Sequence, residues 1–274
     1  MNHHGGVGVW ERADVYERFM GRWSRVVART AFDDAAVDID GRCLDVGCGV
    51  GSLSATVLDR FQPDTIVGID RSAAFLEVAS QREPSLTVVQ ADASRLPFAS
   101  KAFDAVVSGL VLNFVPDPQA ALGEIARVAR PGGTVLVYVW DYDYPDFFLT
   151  RFWQGMEAVR GRQAPDDERG RWPVCSETGM RDLVLTSALL AGSVRPVVIS
   201  CVFDDADELW EGFLLGVGPA GRAVQALTSD ERARLRTILA DQLPLNDHGR
   251  VELSARAWTF VAKVVTRSRH LPHG

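Results

Sequence analysis

Short apolar runs and helical patterns alternate along the chain between residues 42 and 140. Five runs of five to eight mostly apolar residues are predicted as strands, and three of the four segments between them carry apolar positions at helical spacing. Alternation of this kind is typical of a parallel sheet whose crossover helices cover both faces. We predict strands over 42–46, 65–69, 86–90, 103–110 and 134–140. We also predict helices over 53–61 and 117–130, and a third helix that begins after an N-cap at Ser72.

The pattern changes on both sides of this core. Residues 14–31 carry apolar side chains at helical spacing and predict an amphipathic helix. Residues 141–172 mix aromatic, proline and charged positions, and their apolar residues show no sustained helical or strand spacing. The segment therefore predicts an irregular lid, and residues 161–171 are predicted to be mobile. Further on, the sequence predicts helices over 177–190 and 209–215, a helix from the capping box at Thr228 to before Pro244, and strands over 194–203 and 251–265.

These elements predict a doubly wound α/β fold with seven strands, mostly parallel, and a last strand that runs antiparallel. The expected organisation is an N-terminal helical cap over 1–40 and a ligand-binding core over 41–140. A helical lid insertion that includes part of the sheet follows over 141–250, and the final strand and tail occupy 251–274.

Charge and hydropathy narrow the possible partners. The chain has 274 residues with 29 Lys and Arg against 36 Asp and Glu, a net charge of −7, which disfavours binding to nucleic acid. No apolar run reaches the roughly 18 residues of a membrane span, and the first residues lack the features of a signal peptide. We therefore expect a cytoplasmic protein that does not bind membranes.

Cysteine and histidine offer little catalytic or metal chemistry. The cysteines at 43, 48, 175 and 201 form no C-x-x-C pair, so we expect reduced, buried thiols and no bound metal. All five histidines lie near the chain ends or in a predicted loop. The sequence therefore gives no reason to expect a buried histidine base.

A glycine-rich turn is the strongest chemical signal. The string LDVGCGVGS over 44–52 joins a strand directly to a helix, and its glycines let the backbone approach a ligand closely. The alternative is a turn that needs glycine for steric reasons alone. Asp70 ends the next strand 19 residues after Gly51, where a carboxylate can accept both hydroxyls of a ribose. Ser52 stands where a dinucleotide-binding turn has glycine, and no lysine follows as in a P-loop.

Five segments together resemble the motifs of class I S-adenosylmethionine-dependent methyltransferases, most closely the small-molecule enzymes of the ubiquinone and menaquinone biosynthesis type. In chain order they are LDVGCGVGSLS, VGID, ADASRLPF, FDAVVSGLVLNFVPDP and RPGGTVLVYVW. The resemblance covers residues 42–140 and implies a Rossmann-like fold that binds S-adenosylmethionine. It is looser at YERFMGRWS, over 16–24.

The resemblance assigns roles to individual residues. It places Gly47, Cys48, Gly49 and Gly51 against the methionine part of the cofactor, with Asp45 near its amino group. It places Asp70 on the ribose, Asp92 and Ala93 on the adenine, Arg71 and Ser72 beside the sugar, Ser108 and Asn113 at the methyl end, and Tyr16 and Met20 over the cofactor.

The methyl acceptor is less defined. Many relatives carry histidine near the position of Asn113, and this chain does not, so a histidine base is not expected. An aromatic and acidic set could line an acceptor pocket: Tyr16, Trp23, Asn113, Trp140, Asp141, Tyr142 and Tyr144. Four of these, Tyr16, Asn113, Asp141 and Tyr142, are the catalytic candidates. The arginines at 160, 162, 169 and 171 are interleaved with acidic residues, and we expect them in a solvated loop.

The expected function is transfer of a methyl group to an oxygen, nitrogen or carbon atom of a small molecule, by a monomer or homodimer. A non-catalytic cofactor-binding protein of the same fold is the first alternative, and a nicotinamide-dependent oxidoreductase is the second. A methyltransferase of nucleic acid or protein is disfavoured by the net charge and by LVLNFVPDP, which lacks an N-P-P-Y-type run.

Overall fold

A seven-stranded sheet organises the described part of the chain. The computed structural model describes residues 17–35, 37–187, 190–216 and 218–265. The strands lie in the order β3-β2-β1-β4-β5-β7-β6. They are β1 (Arg42–Val46), β2 (Thr65–Asp70), β3 (Leu86–Gln90), β4 (Phe103–Gly109), β5 (Ala129–Trp140), β6 (Leu190–Phe203) and β7 (Val251–Val264).

The strand directions confirm the predicted fold. β1 pairs in parallel with both β2 and β4, β2 with β3, and β4 with β5, whereas β7 is antiparallel to both β5 and β6. The chain first winds outward from β1 to β3 and then returns to β4 on the other side of β1. In doubly wound sheets this reversal leaves a crevice at the carboxyl ends of the strands, where ligands bind.

Helices alternate with the strands of the core and dominate the segment between β5 and β7. One π-helical turn, Glu17–Gly21, precedes α1 (Arg22–Asp34). The core helices are α2 (Ser52–Phe61), α3 (Ala73–Arg82) and α4 (Pro118–Val128). The later helices are α5 (Phe148–Arg160), α6 (Glu177–Leu185), α7 (Ala206–Leu214), α8 (Gly218–Gln225) and α9 (Ser229–Gln242).

Local capping signals fix several helix starts as predicted. The Ser72 Oγ accepts a hydrogen bond from the Phe75 backbone N–H at 3.2 Å, which caps α3. At α9 the Thr228 hydroxyl and the Glu231 carboxylate each accept a hydrogen bond from the other residue's backbone N–H, which completes a capping box. Both helices therefore begin where the sequence placed them.

Two helices lie where the sequence predicted none, and α6, predicted to extend to 190, ends at Leu185 because Leu190 already belongs to β6. α5 lies in the segment predicted to be irregular, and α8 lies in a segment for which no helix was predicted. α5 carries a polar face at helical spacing, formed by Arg151, Gln154, Glu157 and Arg160, and the prediction of an irregular segment overlooked this period. α8 begins with Gly218 and Pro219 and contains Gly221, which together suggest a loop.

Aromatic packing joins the N-terminal segment to the helices after β5. The Phe19 ring meets Phe148 of α5 edge-on at 5.4 Å and Phe213 of α7 at 5.3 Å, and Phe152 stacks on Phe213 at 4.4 Å. Contacts of this kind add about 1 kcal/mol each beyond the area they bury. They hold residues 17–21 beside the carboxyl ends of β4 and β5. Among the described helices, none combines the length and apolar character that crossing a lipid bilayer requires.

Candidate active site

The glycine loop between β1 and α2 has the conformation that its sequence requires. Gly47, Gly49 and Gly51 have φ of 75°, 54° and 90°, a region that other residues enter only at a cost. A Cβ at Gly47 would lie 2.4 Å from a Val111 methyl, whereas one at Gly49 would meet no atom within 4 Å. The loop is therefore tightly packed at its first glycine and open at its second.

The end of β2 holds this loop in place. The backbone N–H groups of Gly47 and Cys48 both donate to the Ile69 carbonyl at 2.8 Å. The Asp70 Oδ2 accepts from the Gly49 N–H at 3.1 Å, and its Oδ1 accepts from the Ser72 N–H at 2.8 Å. Asp70 thus links the glycine loop to the start of α3.

Two cavities flank Asp70. We call the one above β2 and β3, of about 180 Å³, the strand-end cavity, and the one above the glycine loop, of about 220 Å³, the loop cavity. Gly47, Asp70, Val111 and Phe114 line both. The strand-end cavity is also lined by Ile69, Arg71, Ala91, Asp92, Ala93, Val115 and Pro116, and the loop cavity by Ser24, Cys48, Gly49, Val50, Ser52, Leu53, Phe75, Gly109 and Leu110.

Asp92 and Arg71 form the polar rim of the strand-end cavity. The Asp92 Oδ1 accepts from the Ser94 N–H at 2.8 Å, and its Oδ2 lies 3.8 Å from the Arg71 Nε. The Gln90 amide donates to the Arg71 carbonyl at 2.9 Å. Ala93 is buried in the wall beside them. Because Arg71 and Asp92 are both exposed, they present charges to a ligand without a strong mutual bond.

Asp45 and Ser108 lie beneath the loop and line none of the cavities described here. The Ser54 hydroxyl donates to the Asp45 Oδ2 at 2.6 Å, and the buried Oδ1 has no hydrogen-bond partner among the described residues. Burial raises the pKa of Asp45 to about 7, with a further contribution from the charge of Asp70. The Ser108 hydroxyl donates to the Val46 carbonyl at 2.8 Å, so it supports the end of β1.

A third cavity, of about 90 Å³, adjoins the loop cavity through Leu110 and Phe114. Leu110 has a φ of 61°, and its N–H donates to the Tyr138 carbonyl, which directs the following residues across the strand ends. We call this space the aromatic cavity. Its lining comprises Phe19, Met20, Leu110, Phe114, Trp140, Tyr142, Leu149, Glu168, Gly218, Pro219 and Ala220.

The predicted acceptor residues divide into two groups. Trp140 and Tyr142 line the aromatic cavity, as does Met20, which was expected over the cofactor. Asp141 instead accepts hydrogen bonds from the Arg256 Nε at 2.8 Å and the Trp258 Nε1 at 3.0 Å.

The remaining candidates line none of the three cavities. The Tyr144 ring stacks on the Arg256 guanidinium, and Trp23 packs edge-on against Phe203. Asn113 is buried on the 3₁₀ turn Leu112–Phe114, and its Nδ2 has no hydrogen-bond partner among the described residues. Tyr16 lies outside the described residues.

Sequence reasoning missed Glu168, which lines the aromatic cavity. Its side chain belongs to the predicted solvated loop, yet the residue is only 4% exposed and its Oε2 accepts from the Trp153 Nε1 at 3.2 Å. The prediction of solvated side chains holds for Arg160, Arg162 and Arg171, which are exposed, but not for Arg169, which pairs with the buried Asp167 at 2.7 Å. A run of alternating charges gives no signal of such burial, since it depends on packing against α5.

The segment of the chain that carries the glycine loop and Asp70 matches a known protein family. Residues 44–137 match the family model of a methyltransferase domain. The core of this chain is similar to methyltransferase domains. The match begins in β1 and ends in β5, so it contains the glycine loop, Asp70 and Asp92.

Curated relatives that match this core are named for different acceptors. A demethylmenaquinone methyltransferase of Renibacterium salmoninarum is 36% identical over 127 residues, which are 46% of this chain and 50% of that protein. A trans-aconitate 2-methyltransferase of an Azoarcus species is 33% identical over 136 residues, 49% of this chain and 51% of that protein. The matched region spans only about half the length of these relatives.

A solved structure extends the similarity of the methyltransferase fold beyond the core. A phosphoethanolamine N-methyltransferase of Haemonchus contortus, in complex with phosphomonomethylethanolamine and S-adenosylhomocysteine, superposes with a TM-score of 0.56. The superposition covers 97% of this chain and 59% of that chain at 16% identity. At this identity the similarity establishes a shared fold.

The buried carboxyl in the aromatic cavity gives a stability prediction. Burial, together with the charge of Asp167, raises the pKa of Glu168 to about 7, although Trp153, Arg171 and Arg222 act in the opposite direction. Because the folded-state pKa lies above the unfolded one, the native protein holds this proton more tightly. Its contribution to stability is therefore greatest below pH 4.5 and is lost as the pH rises to about 7.

Glu168→Gln should remove this pH dependence. Wild type loses this contribution as the pH rises and the variant does not. The difference in free energy of unfolding, variant minus wild type, should therefore increase by up to about 3 kcal/mol from pH 5 to pH 8. Urea denaturation at both pH values measures the change. Glu157→Gln, which alters an exposed partner of Arg169, is the control. A stability difference between Glu168→Gln and wild type that stays constant across this pH range would contradict the prediction.

Proposed function

We propose that this protein transfers a methyl group from S-adenosylmethionine to a small organic acceptor. When bound, the cofactor supplies an electrophilic methyl on a sulfonium sulfur, and the carbon–sulfur electron pair stays on sulfur as the acceptor atom takes the methyl. The observation that carries the proposal is the position of Asp70. Its carboxylate lies between two adjoining cavities at the carboxyl end of β2, one strand from the topological switch point, beside a loop that is open at Gly49.

Asp70 fits a ribose between these cavities. Each of its oxygens already accepts one backbone N–H, and a carboxylate offers about four acceptor sites in all. Capacity for two hydroxyl groups therefore remains. The existing hydrogen bonds from Gly49 and Ser72 fix the carboxylate's orientation, so it would lose little freedom when a ligand binds.

The strand-end cavity fits the adenine. Its walls of Ile69, Val111 and Ala93 suit the faces of a flat ring, while Asp92 can accept a hydrogen bond from an exocyclic amine. Arg71 and Ser72 lie beside the sugar position. In this assignment the Ala93 backbone N–H serves a ring nitrogen.

The loop cavity fits the methionine part. Gly47, Cys48 and Gly49 line it, and a side chain at position 49 would fill the space that a ligand needs. Gly51 shapes the turn through its N–H, which donates to the Cys48 carbonyl at 2.8 Å. The unpartnered Asp45 Oδ1 beneath the loop attracts the ammonium end, and Ser108 supports the strand from which the loop leaves.

The aromatic cavity is the proposed acceptor site. Because it shares Leu110 and Phe114 with the loop cavity, an acceptor in it would lie next to the methionine end of the cofactor. The lining is largely apolar. Fixed alignment of two reactants is worth up to ~7–11 kcal/mol of the barrier. The names of the relatives, which refer to demethylmenaquinone and trans-aconitate, support a small-molecule acceptor.

Calorimetry with S-adenosylmethionine, S-adenosylhomocysteine and NAD⁺ tests the proposal. We expect saturable binding of the first two and none of NAD⁺, because Ser52 leaves no dinucleotide-binding turn. The protein is then incubated with S-adenosylmethionine and a panel of small acceptors. An enzyme forms S-adenosylhomocysteine under these conditions, whereas a non-catalytic binding protein does not. Preference for NAD⁺ would replace the proposal with an oxidoreductase.

A further inference from the structure

Glu168 gives the aromatic cavity a chemical function that the glycine loop does not supply. We propose that Glu168 is the catalytic base of the acceptor site, and that the acceptor is an uncharged, largely apolar molecule that presents a weakly acidic hydroxyl to it. This inference rests on the proposed function, since it assigns the acceptor end of the same site.

The composition of the lining supports an uncharged acceptor. Among the described residues that line the aromatic cavity, Glu168 is the only one with a carboxyl group, and most of the others are apolar. An apolar wall favours a hydrocarbon body, and one carboxylate provides one specific polar contact. A carboxylate-bearing acceptor would be repelled by Glu168 at short range.

Several charged groups act on Glu168. Asp167 precedes it in the chain and is neutralised by Arg169, while Arg171 and Arg222 lie close enough to favour the ionised form. Trp153 of α5 donates to the Oε2. Since Arg171 and Arg222 already act on Glu168, a cationic acceptor is not needed to hold the carboxylate in its charged form.

Burial makes this carboxylate a better base than an exposed one. A glutamate with a pKa near 7 is ionised for a useful fraction of the time at neutral pH and accepts a proton more readily than at its ordinary value. In the proposed step the hydroxyl proton moves to the Glu168 carboxylate as the acceptor oxygen becomes bonded to the methyl carbon. Sulfur retains the electron pair of the broken bond, and Glu168 later releases the proton to water.

Trp140 provides a second, independent indication of a ligand. It lines the same cavity, is 2% exposed, and its buried Nε1 has no hydrogen-bond partner among the described residues. A buried indole N–H without an acceptor is costly, so a ligand oxygen that accepts it would be favoured. A hydroxyl in this cavity would lie among residues that include both Trp140 and Glu168.

Phenol, anisole and benzoate are suitable probes because each carries one aromatic ring. Phenol has the hydroxyl, anisole carries a methyl in place of its proton, and benzoate carries a negative charge. We expect the wild type at pH 8 to bind phenol about tenfold more tightly than anisole, as one charge-assisted hydrogen bond provides, and benzoate more weakly than either. Calorimetry or ligand-observed NMR measures binding without any turnover.

Glu168→Gln should reduce the preference for phenol over anisole to within about twofold, while Glu157→Gln should keep it. S-adenosylmethionine binding measured on the same samples separates the two proposals: unchanged cofactor affinity in Glu168→Gln assigns the effect to the acceptor site. Absence of cofactor binding to the wild type would instead count against the proposed function.

If Glu168→Gln does not fold, the wild type alone decides, because its preference for phenol should grow between pH 6 and pH 8 as Glu168 ionises. Equal affinity of the wild type for phenol and anisole, including binding of neither, overturns the inference. So does a preference for phenol that survives in Glu168→Gln or is independent of pH.

Discussion

Asp70→Asn is expected to weaken the binding of S-adenosylmethionine about a hundredfold. Hydrogen bonds to a charged acceptor contribute roughly 1.5–3 kcal/mol each, and the substitution removes the charge from two of them. An asparagine has one acceptor oxygen for the Gly49 and Ser72 N–H groups, so the ligand would also compete with the loop for that oxygen. Calorimetric titration of the variant with the cofactor measures the loss.

Asp64→Asn is the matched control for this prediction. Asp64 is exposed and directly precedes the first residue of β2, whereas Asp70 is the last residue of the same strand. We expect the control to bind the cofactor like wild type. Equal affinity of Asp70→Asn and wild type would remove Asp70 from the site and with it the main support for an adenosyl ligand.

The glycine loop gives the second large effect. Gly47→Ala should destabilise the protein by roughly 2–5 kcal/mol, because the positive φ and a Cβ 2.4 Å from Val111 both oppose the new side chain. Gly49→Ala should lose only about 1–2 kcal/mol from its positive φ, since a Cβ there meets no atom within 4 Å. Its methyl group would instead occupy the loop cavity and lower cofactor affinity by roughly 10- to 100-fold.

Gly161→Ala is the control that separates the loss of stability from the loss of cofactor affinity. Gly161 follows α5 with a φ of 68°, and a Cβ there also has no neighbour within 4 Å. It should therefore lose as much stability as Gly49→Ala while leaving cofactor affinity unchanged. Urea denaturation and calorimetry on the three variants measure both quantities. A Gly49→Ala variant that binds the cofactor normally would show that this loop does not contact the ligand.

Much of the fold was predictable because local signals and global pattern agree in the core. β1, the glycine loop and α2 follow from apolar runs and from glycines that adopt positive φ, and the cap at Ser72 fixes α3. The helical spacing of Arg151, Gln154 and Glu157 in α5 is present in the sequence, but the surrounding aromatic and proline residues obscured it and the segment was predicted to be irregular.

The candidate site was predictable where it depends on strand ends and unpredictable where it depends on packing. Asp70, Asp92 and the glycines come at the ends of parallel strands, which meet at one edge of the sheet. Glu168 lies in a run of mixed charges, and only its contact with Trp153 and its position on the aromatic cavity distinguish it. Asp141 looked catalytic from sequence, yet Arg256 and Trp258 already occupy its carboxylate.

Phe114 constrains how this protein could be re-engineered. Its ring is 59% exposed, contacts Trp172 edge-on at 5.3 Å and borders all three cavities. Under the proposed function, a smaller residue at 114 would enlarge the room for bulkier acceptors and at the same time loosen the cavities assigned to the nucleoside and the methionine part. Leu149 borders only the aromatic cavity of the three, so a substitution there would alter acceptor choice without touching the proposed cofactor cavities.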